Sequence, residues 1–184
     1  MTTKGTVPAS SVAAKAIRRL AAVLMLAGAM SASGARAADD YFASVAGNWS
    51  GNGTYKDHAT SKGEAFRCKM QLGWNGPTQT MAISFDCRGI DRAAHITGSL
   101  RRASGGVSGS VTANPDNRRF AVTGSQSGNR LALALKESNP KEGRPTPVAM
   151  DLSLSGGKTI NWNLRSRDPM TGREFTSLSI TYKR

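Results

Sequence analysis

From Phe66 to Cys87 the chain reads FRCKMQLGWNGPTQTMAISFDC, with apolar residues on alternate positions. Cys68, Met70, Leu72 and Trp74 alternate with Arg67, Lys69, Gln71 and Gly73. Met81, Ile83, Phe85 and Cys87 alternate with Ala82, Ser84 and Asp86. A period of two marks strands with one buried face, and the Gly-Pro pair between the runs supplies a turn. Folding the segment back around Asn75–Thr80 sets Trp74 against Met81, Leu72 against Ile83, Met70 against Phe85 and Cys68 against Cys87. That register puts both cysteines on the buried face and directly opposite each other. Opposed Cα atoms of an antiparallel pair lie ~4.5–5.5 Å apart, a separation a disulfide spans. The spacing therefore predicts a Cys68–Cys87 bridge, the alternative being two buried free thiols.

The alternation continues along the chain. Ile96, Gly98 and Leu100 are expected to face Val111, Gly109 and Val107 around RRASGG. Phe120, Val122 and Gly124 are expected to face Leu135, Leu133 and Leu131 around SQSGN. Met150, Leu152 and Leu154 are expected to face Leu164, Trp162 and Ile160 around SGGKT. A first strand from Trp49 to Tyr55 and a last from Glu174 to Lys183 bring the total to about ten, with a single helical turn over 40–45. Short strands at regular spacing predict an all-β antiparallel fold. Glycines on the inward phase at 98, 109 and 124 let strands coil. They favour a single up-and-down barrel of about eight to ten strands over a sandwich.

The N-terminal segment changes the setting. Lys15, Arg18 and Arg19 precede the apolar run Leu20–Met30, and a small-residue stretch ends in Ala35-Arg36-Ala37. This is the order of a bacterial secretory signal peptide, and the run is too short to cross a bilayer. Residues 1–37 are expected to be cleaved, leaving 38–184 as one β-barrel domain in the periplasm or outside the cell, where a structural disulfide belongs. The remaining chain carries 20 Lys and Arg against 12 Asp and Glu, a net charge of +8. A domain of this size buries ~70% of the surface its unfolded chain exposes, so two cysteines are one staple on a viable core.

Gly47-Asn48-Trp49 resembles the G-x-W opening of lipocalins and related calycin barrels. The chain is also similar to small exported proteins of Gram-negative bacteria with a W-S-G-x-G start and two early cysteines. The calycin resemblance implies that Trp49 packs beneath the closed end of the barrel against a basic residue near the end of the last strand, Arg184 or Lys183. The small periplasmic metalloprotease inhibitors share that architecture.

No catalytic constellation is legible. His58 falls in the first loop, where solvation is expected, and His95 falls on the outward phase of its strand. Neither has metal-ligand spacing, and no nucleophile elbow or phosphate loop is present. The chain is read as a non-enzymatic monomer without cofactor or metal. Charge says more. In a meander the longer connections gather at one end, where Arg88, Arg92, Arg118, Arg119, Arg144, Arg165, Arg167 and Arg173 form a basic rim. Such a rim suits an anionic ligand or an acidic envelope component. Export, and the lack of aromatics among the cations, argue against nucleic acid. Inward Met70, Met81, Ile83, Phe85, Leu133, Met150 and Trp162 could line an apolar pocket. The expected function is a lipocalin-like binding protein for a small apolar or anionic ligand. The alternative is a filled barrel acting as an envelope interaction module or protease inhibitor.

Overall fold

A computed structural model describes residues 41–184; the expected signal segment, residues 1–37, lies outside the described residues. Ten antiparallel strands form a closed barrel in simple meander order: β1 (Gly47–Tyr55), β2 (Glu64–Asn75), β3 (Thr80–Arg88), β4 (Ala93–Ala103), β5 (Gly106–Asn114), β6 (Arg118–Ser127), β7 (Arg130–Glu137), β8 (Thr146–Ser155), β9 (Thr159–Arg167) and β10 (Glu174–Lys183). β1 closes the sheet by pairing with β10 from Ser50↔Lys183 to Tyr55↔Leu178, which removes the exposed edges a ten-strand sheet would otherwise present. The closed wall and the core cluster from Tyr41 to Tyr182 lie within the described residues.

The β2–β3 register is the expected one, with Cys68 opposite Cys87 and Trp74 opposite Met81. The cysteines are bridged, their Cα atoms 4.1 Å apart. The β8–β9 register is also as expected. Two hairpins differ. In β4–β5, Gly98 pairs with Val111 and Leu100 with Gly109; in β6–β7, Val122 pairs with Leu135 and Phe120 with Glu137. Both registers are displaced by two residues, because the strands continue through the presumed loops to two-residue turns at Ser104–Gly105 and Gly128–Asn129. An even displacement keeps every side chain on its predicted face and changes only its partner.

The inward glycines do more than permit curvature. A Cβ built on Gly109 would lie 2.0 Å from the Ser99 carbonyl oxygen, and one on Gly53 would lie 1.9 Å from that of Ser179. Adjacent backbone fills the space a side chain would occupy. These glycines therefore let the wall coil tightly and do not enlarge the interior.

One end of the barrel is sealed. The helical turn at 41–45 tucks Tyr41, Phe42 and Val45 into the core, with Phe42 stacked on Trp74 at 4.9 Å. Trp49 donates its indole N–H to the Val45 carbonyl at 2.8 Å. Arg184 lies 4.5 Å from the centre of the Trp49 ring and donates to the carbonyls of Ser44, Ala46 and Gly157. The basic partner of Trp49 is thus Arg184, while Lys183 is exposed. Arg184 bonds the end of the helical turn and the residue after it to the β8–β9 turn and holds the plug in place.

Candidate functional site: the open mouth of the barrel

The interior divides into two halves. Toward the sealed end, Met70, Met81, Ile83, Phe85 and Leu133 are all buried in contact with the core and fill the lumen. Toward the other end lies a cavity of about 430 Å3, within the range of small-molecule sites. Of the seven expected pocket residues, Met150 and Trp162 line it and the other five do not. A ten-strand wall is wider than side chains alone can fill, and the N-terminal plug occupies only one end.

The cavity has an apolar body. Met150, Trp162, Phe66, Phe120, Leu135, Ile96, Ala113 and Leu164 line it. Phe85 stacks on Trp162 at 4.6 Å and holds the indole flat. The Trp162 indole N–H is buried without an acceptor among the described residues.

Two polar features interrupt this surface, and neither was read from the sequence. The first is a serine pair. A bulge between Thr176 and Leu178 in β10 turns Ser177 inward beside Leu178, so the alternation slips by one. Its hydroxyl meets that of Ser166 at 2.6 Å, and both serines line the cavity. Bulges commonly re-aim a side chain at barrel rims. The second is an ion pair. Arg118 donates from Nε and Nη2 to the two carboxylate oxygens of Glu137, each at 2.7 Å, and from Nη2 to the Pro145 carbonyl at 3.1 Å. The Glu137 side chain is 1% exposed and that of Arg118 18%. Donating these hydrogen bonds to Glu137 raises the Arg118 pKa. A signal existed: Glu137 continues the inward phase of Leu131, Leu133 and Leu135, and Arg118 that of Phe120 and Val122.

The rim is organised, and much of its charge is internally balanced. Only Arg92, Arg144 and Arg173 lie in loops. Arg88, Arg119, Arg165 and Arg167 project outward from strand ends, and Arg118 points inward. Arg92 pairs with Asp57 at 2.5 Å and faces Glu64 at 3.6 Å, Arg144 pairs with Asp116, and Arg165 pairs with Glu174 at 3.1 Å. Arg88, Arg119, Arg167 and Arg173 make no ion pair among the described residues. At the mouth, burial and the neighbouring Asp57 push the Tyr55 phenol up to about 12, so it remains a donor, with Arg92 5.6 Å above its ring. His95 is exposed and pairs with Asp86 at 2.6 Å. His58, expected in solvent, has a buried ring Nδ1, because the β1–β2 loop folds down onto its neighbours.

Asp168 and Asp57 hold that loop. Asp168 accepts the amides of Ala59, Met170 and Thr171 at 2.9, 2.9 and 3.1 Å, and these bonds, that from Ala59 foremost, lower its pKa. Burial opposes ionisation of Asp57, but hydrogen bonds from Arg92 and Tyr55 outweigh it and lower its pKa too. Carboxyls depressed in the folded state stabilise above their unfolded value of ~3.9 and lose that contribution as pH falls through the lower folded value. The amides of Ala59 and Met170 are thus expected to keep constant hydrogen-exchange protection, corrected for intrinsic rate, through neutral pH. Protection should fall only on the acid side of about pH 4. Loosening already complete near about pH 6 would show that other groups hold the loops.

Neither a protein-family model nor a curated protein matches the sequence. Among solved structures, Rv2717c from M. tuberculosis is similar at 19% identity and a TM-score of 0.56, over 77% of this chain and 92% of that one. The S-type phycobiliprotein lyase CPES from Guillardia theta aligns at 9% identity and a TM-score of 0.41, over 80% and 92%. The likeness is one of fold. The expected all-β barrel is what the structure shows: ten antiparallel strands close it, with one disulfide.

Proposed function

We propose that the protein is an exported binding barrel whose mouth holds a small, mainly apolar ligand with a polar end at the rim. The observation that carries this reading is the 430 Å3 cavity, left open above a filled lower half. Its base offers apolar contact on nearly all sides, which favours an aliphatic or aromatic body. The Ser166–Ser177 pair and the Trp162 indole N–H supply the few fixed polar contacts that would orient it. Arg118 is occupied by Glu137, so anion recognition by that guanidinium is limited to what the fork leaves free. The ligand is accordingly apolar first and anionic second. The reading is of binding without chemistry, by a monomer.

Native mass spectrometry of residues 38–184, recovered gently from the host, is expected to show an added mass that is lost on denaturation. Ala113 lies on the cavity wall, and Ala113→Trp should fill the space. It is expected to weaken binding of an anilinonaphthalene sulfonate probe by at least about tenfold without unfolding the barrel. A clean protein mass, with probe binding indifferent to Ala113→Trp, would rule the cavity out as a binding site. Export is tested separately, by N-terminal sequencing of protein from the envelope fraction, where Ala38 is expected as the first residue.

A further inference from the structure

Among the described residues, two large apolar side chains are exposed, and both stand at the same end of the barrel. Ile90 is 84% exposed and Met170 82%. Ile90 tips the β3–β4 loop within Arg88-Gly89-Ile90-Asp91-Arg92. Met170 tips the β9–β10 loop within Arg167-Asp168-Pro169-Met170-Thr171-Gly172-Arg173. Each is an apolar tip flanked by arginines.

The two tips belong to one connected piece of the rim. The β1–β2 loop runs between them, bonded to the β9–β10 loop through Asp168 and Ala59 and to the β3–β4 loop through Asp57 and Arg92. Glu64, where β2 begins, accepts the Ile90 amide at 2.8 Å. Of the segment's carboxylates, Asp168 is buried and Asp57 and Glu64 are partly covered by Arg92, while Asp91 beside Ile90 is exposed. Arg88, Arg167 and Arg173 remain exposed. Just outside the barrel, beneath Ile90, a concave surface is lined by Arg67, Lys69 and Arg88, with Asp86, opposite Lys69, as its one acidic residue. Arg67 and Arg88 are directly opposed across β2 and β3. Like charges placed opposite each other cost stability unless an anion lies between them.

We infer that this part of the rim is a docking surface for an anionic lipid bilayer. Ile90 and Met170 enter the headgroup–acyl boundary, and Arg67, Arg88, Arg167 and Arg173 contact phosphates around them. Interfacial binding strengthens with both inserted apolar area and attraction to anionic lipid, and this surface supplies both on loops pinned to a rigid wall. Docking here sets the mouth of the cavity close to the membrane, but it does not depend on what the cavity holds.

The test is co-flotation of residues 38–184 with vesicles of phosphatidylcholine alone and of phosphatidylcholine mixed with phosphatidylglycerol. Binding is expected only to the mixed vesicles, weakening as salt rises. The double substitution Ile90→Ser/Met170→Ser is expected to weaken it by at least about tenfold, and Arg67→Gln/Arg88→Gln to reduce it and flatten its salt dependence. Arg101→Gln/Lys158→Gln, at the sealed end, is expected to leave it unchanged. Both serine substitutions fall on exposed tips, and an unchanged thermal midpoint confirms that folding is intact. Failure of the unaltered protein to float with anionic vesicles would overturn the inference. So would flotation indifferent to the Ile90/Met170 change, and so would equal affinity for soluble heparin that ignores those two residues, which would make the surface a polyanion site.

Discussion

Glu137→Ala is expected to lower the unfolding free energy by roughly 3 kcal/mol, because it leaves the Arg118 guanidinium among apolar neighbours without its counter-charge. Arg118 lies over the Phe120 ring at 5.4 Å and retains, in the substituted protein, only the single bond to Pro145. The loss measures the unpaired cation more than the strength of the pair. Arg118→Met/Glu137→Leu, which removes both charges and keeps the volume, should therefore recover most of it. Glu137→Gln keeps one acceptor and should fall between the two. Urea unfolding of the four proteins, with the slope checked for constancy, makes the comparison. A Glu137→Ala loss below about 0.5 kcal/mol would mean that water reaches the pair freely and the mouth is wider than its side chains suggest. The same series reports on binding. If the pair only braces β6 against β7, the double variant keeps its affinity for an apolar probe.

What could be read in advance follows from where the chain obeys its own alternation. The β2–β3 hairpin was legible to the residue, because a Gly-Pro turn and two uninterrupted apolar phases admit one register, and the cysteines fall into it. The β4–β5 and β6–β7 hairpins were legible in face but not in partner. Their Gly- and Ser-rich turns carry no side chains that distinguish a long loop from a two-residue one, and both choices bury the same set. The glycines at 98, 109 and 124 were rightly placed inward, but how closely the wall packs there was not legible, since only coordinates show a neighbouring carbonyl 2.0 Å from the missing Cβ of Gly109. Ser177 escaped altogether. A bulge inserts one residue without a local composition signal, and a serine next to Leu178 reads as the solvent face. Arg118 and Glu137 were legible as charges on an inward phase. Counting Arg118 with the rim obscured what the phase said about it. Five of the seven expected pocket residues lie off the cavity, because alternation tells in from out and carries nothing about height. The sealed end was fixed only once Trp49, Arg184 and the turn at 41–45 were seen together.

Removing the disulfide is the other change expected to act strongly. Cys68→Ala/Cys87→Ala should cost ~2–5 kcal/mol, and reductant should cost the unsubstituted protein a similar amount. The bridge joins β2 and β3 across a sequence separation of 19, so much of its effect lies in restricting the unfolded chain. That share is large against a total stability of ~5–15 kcal/mol for a domain of this kind. The position adds a local consequence. Cys87 lines the cavity, and β3 ends one residue later at Arg88, where the loop bearing Ile90 and Arg92 begins. Loss of the bridge should loosen that loop before the sealed end, where Trp49 and Arg184 hold the wall independently. Chemical unfolding with and without reductant gives the global figure, and amide exchange at Gly89 and Arg92 against Trp49 gives the local one. Identical midpoints in oxidising and reducing buffer would show that the barrel closes without its staple. The expectation of an oxidising compartment would then rest on the N-terminal segment alone, because a bridge that contributes nothing to stability gives the fold no need of one.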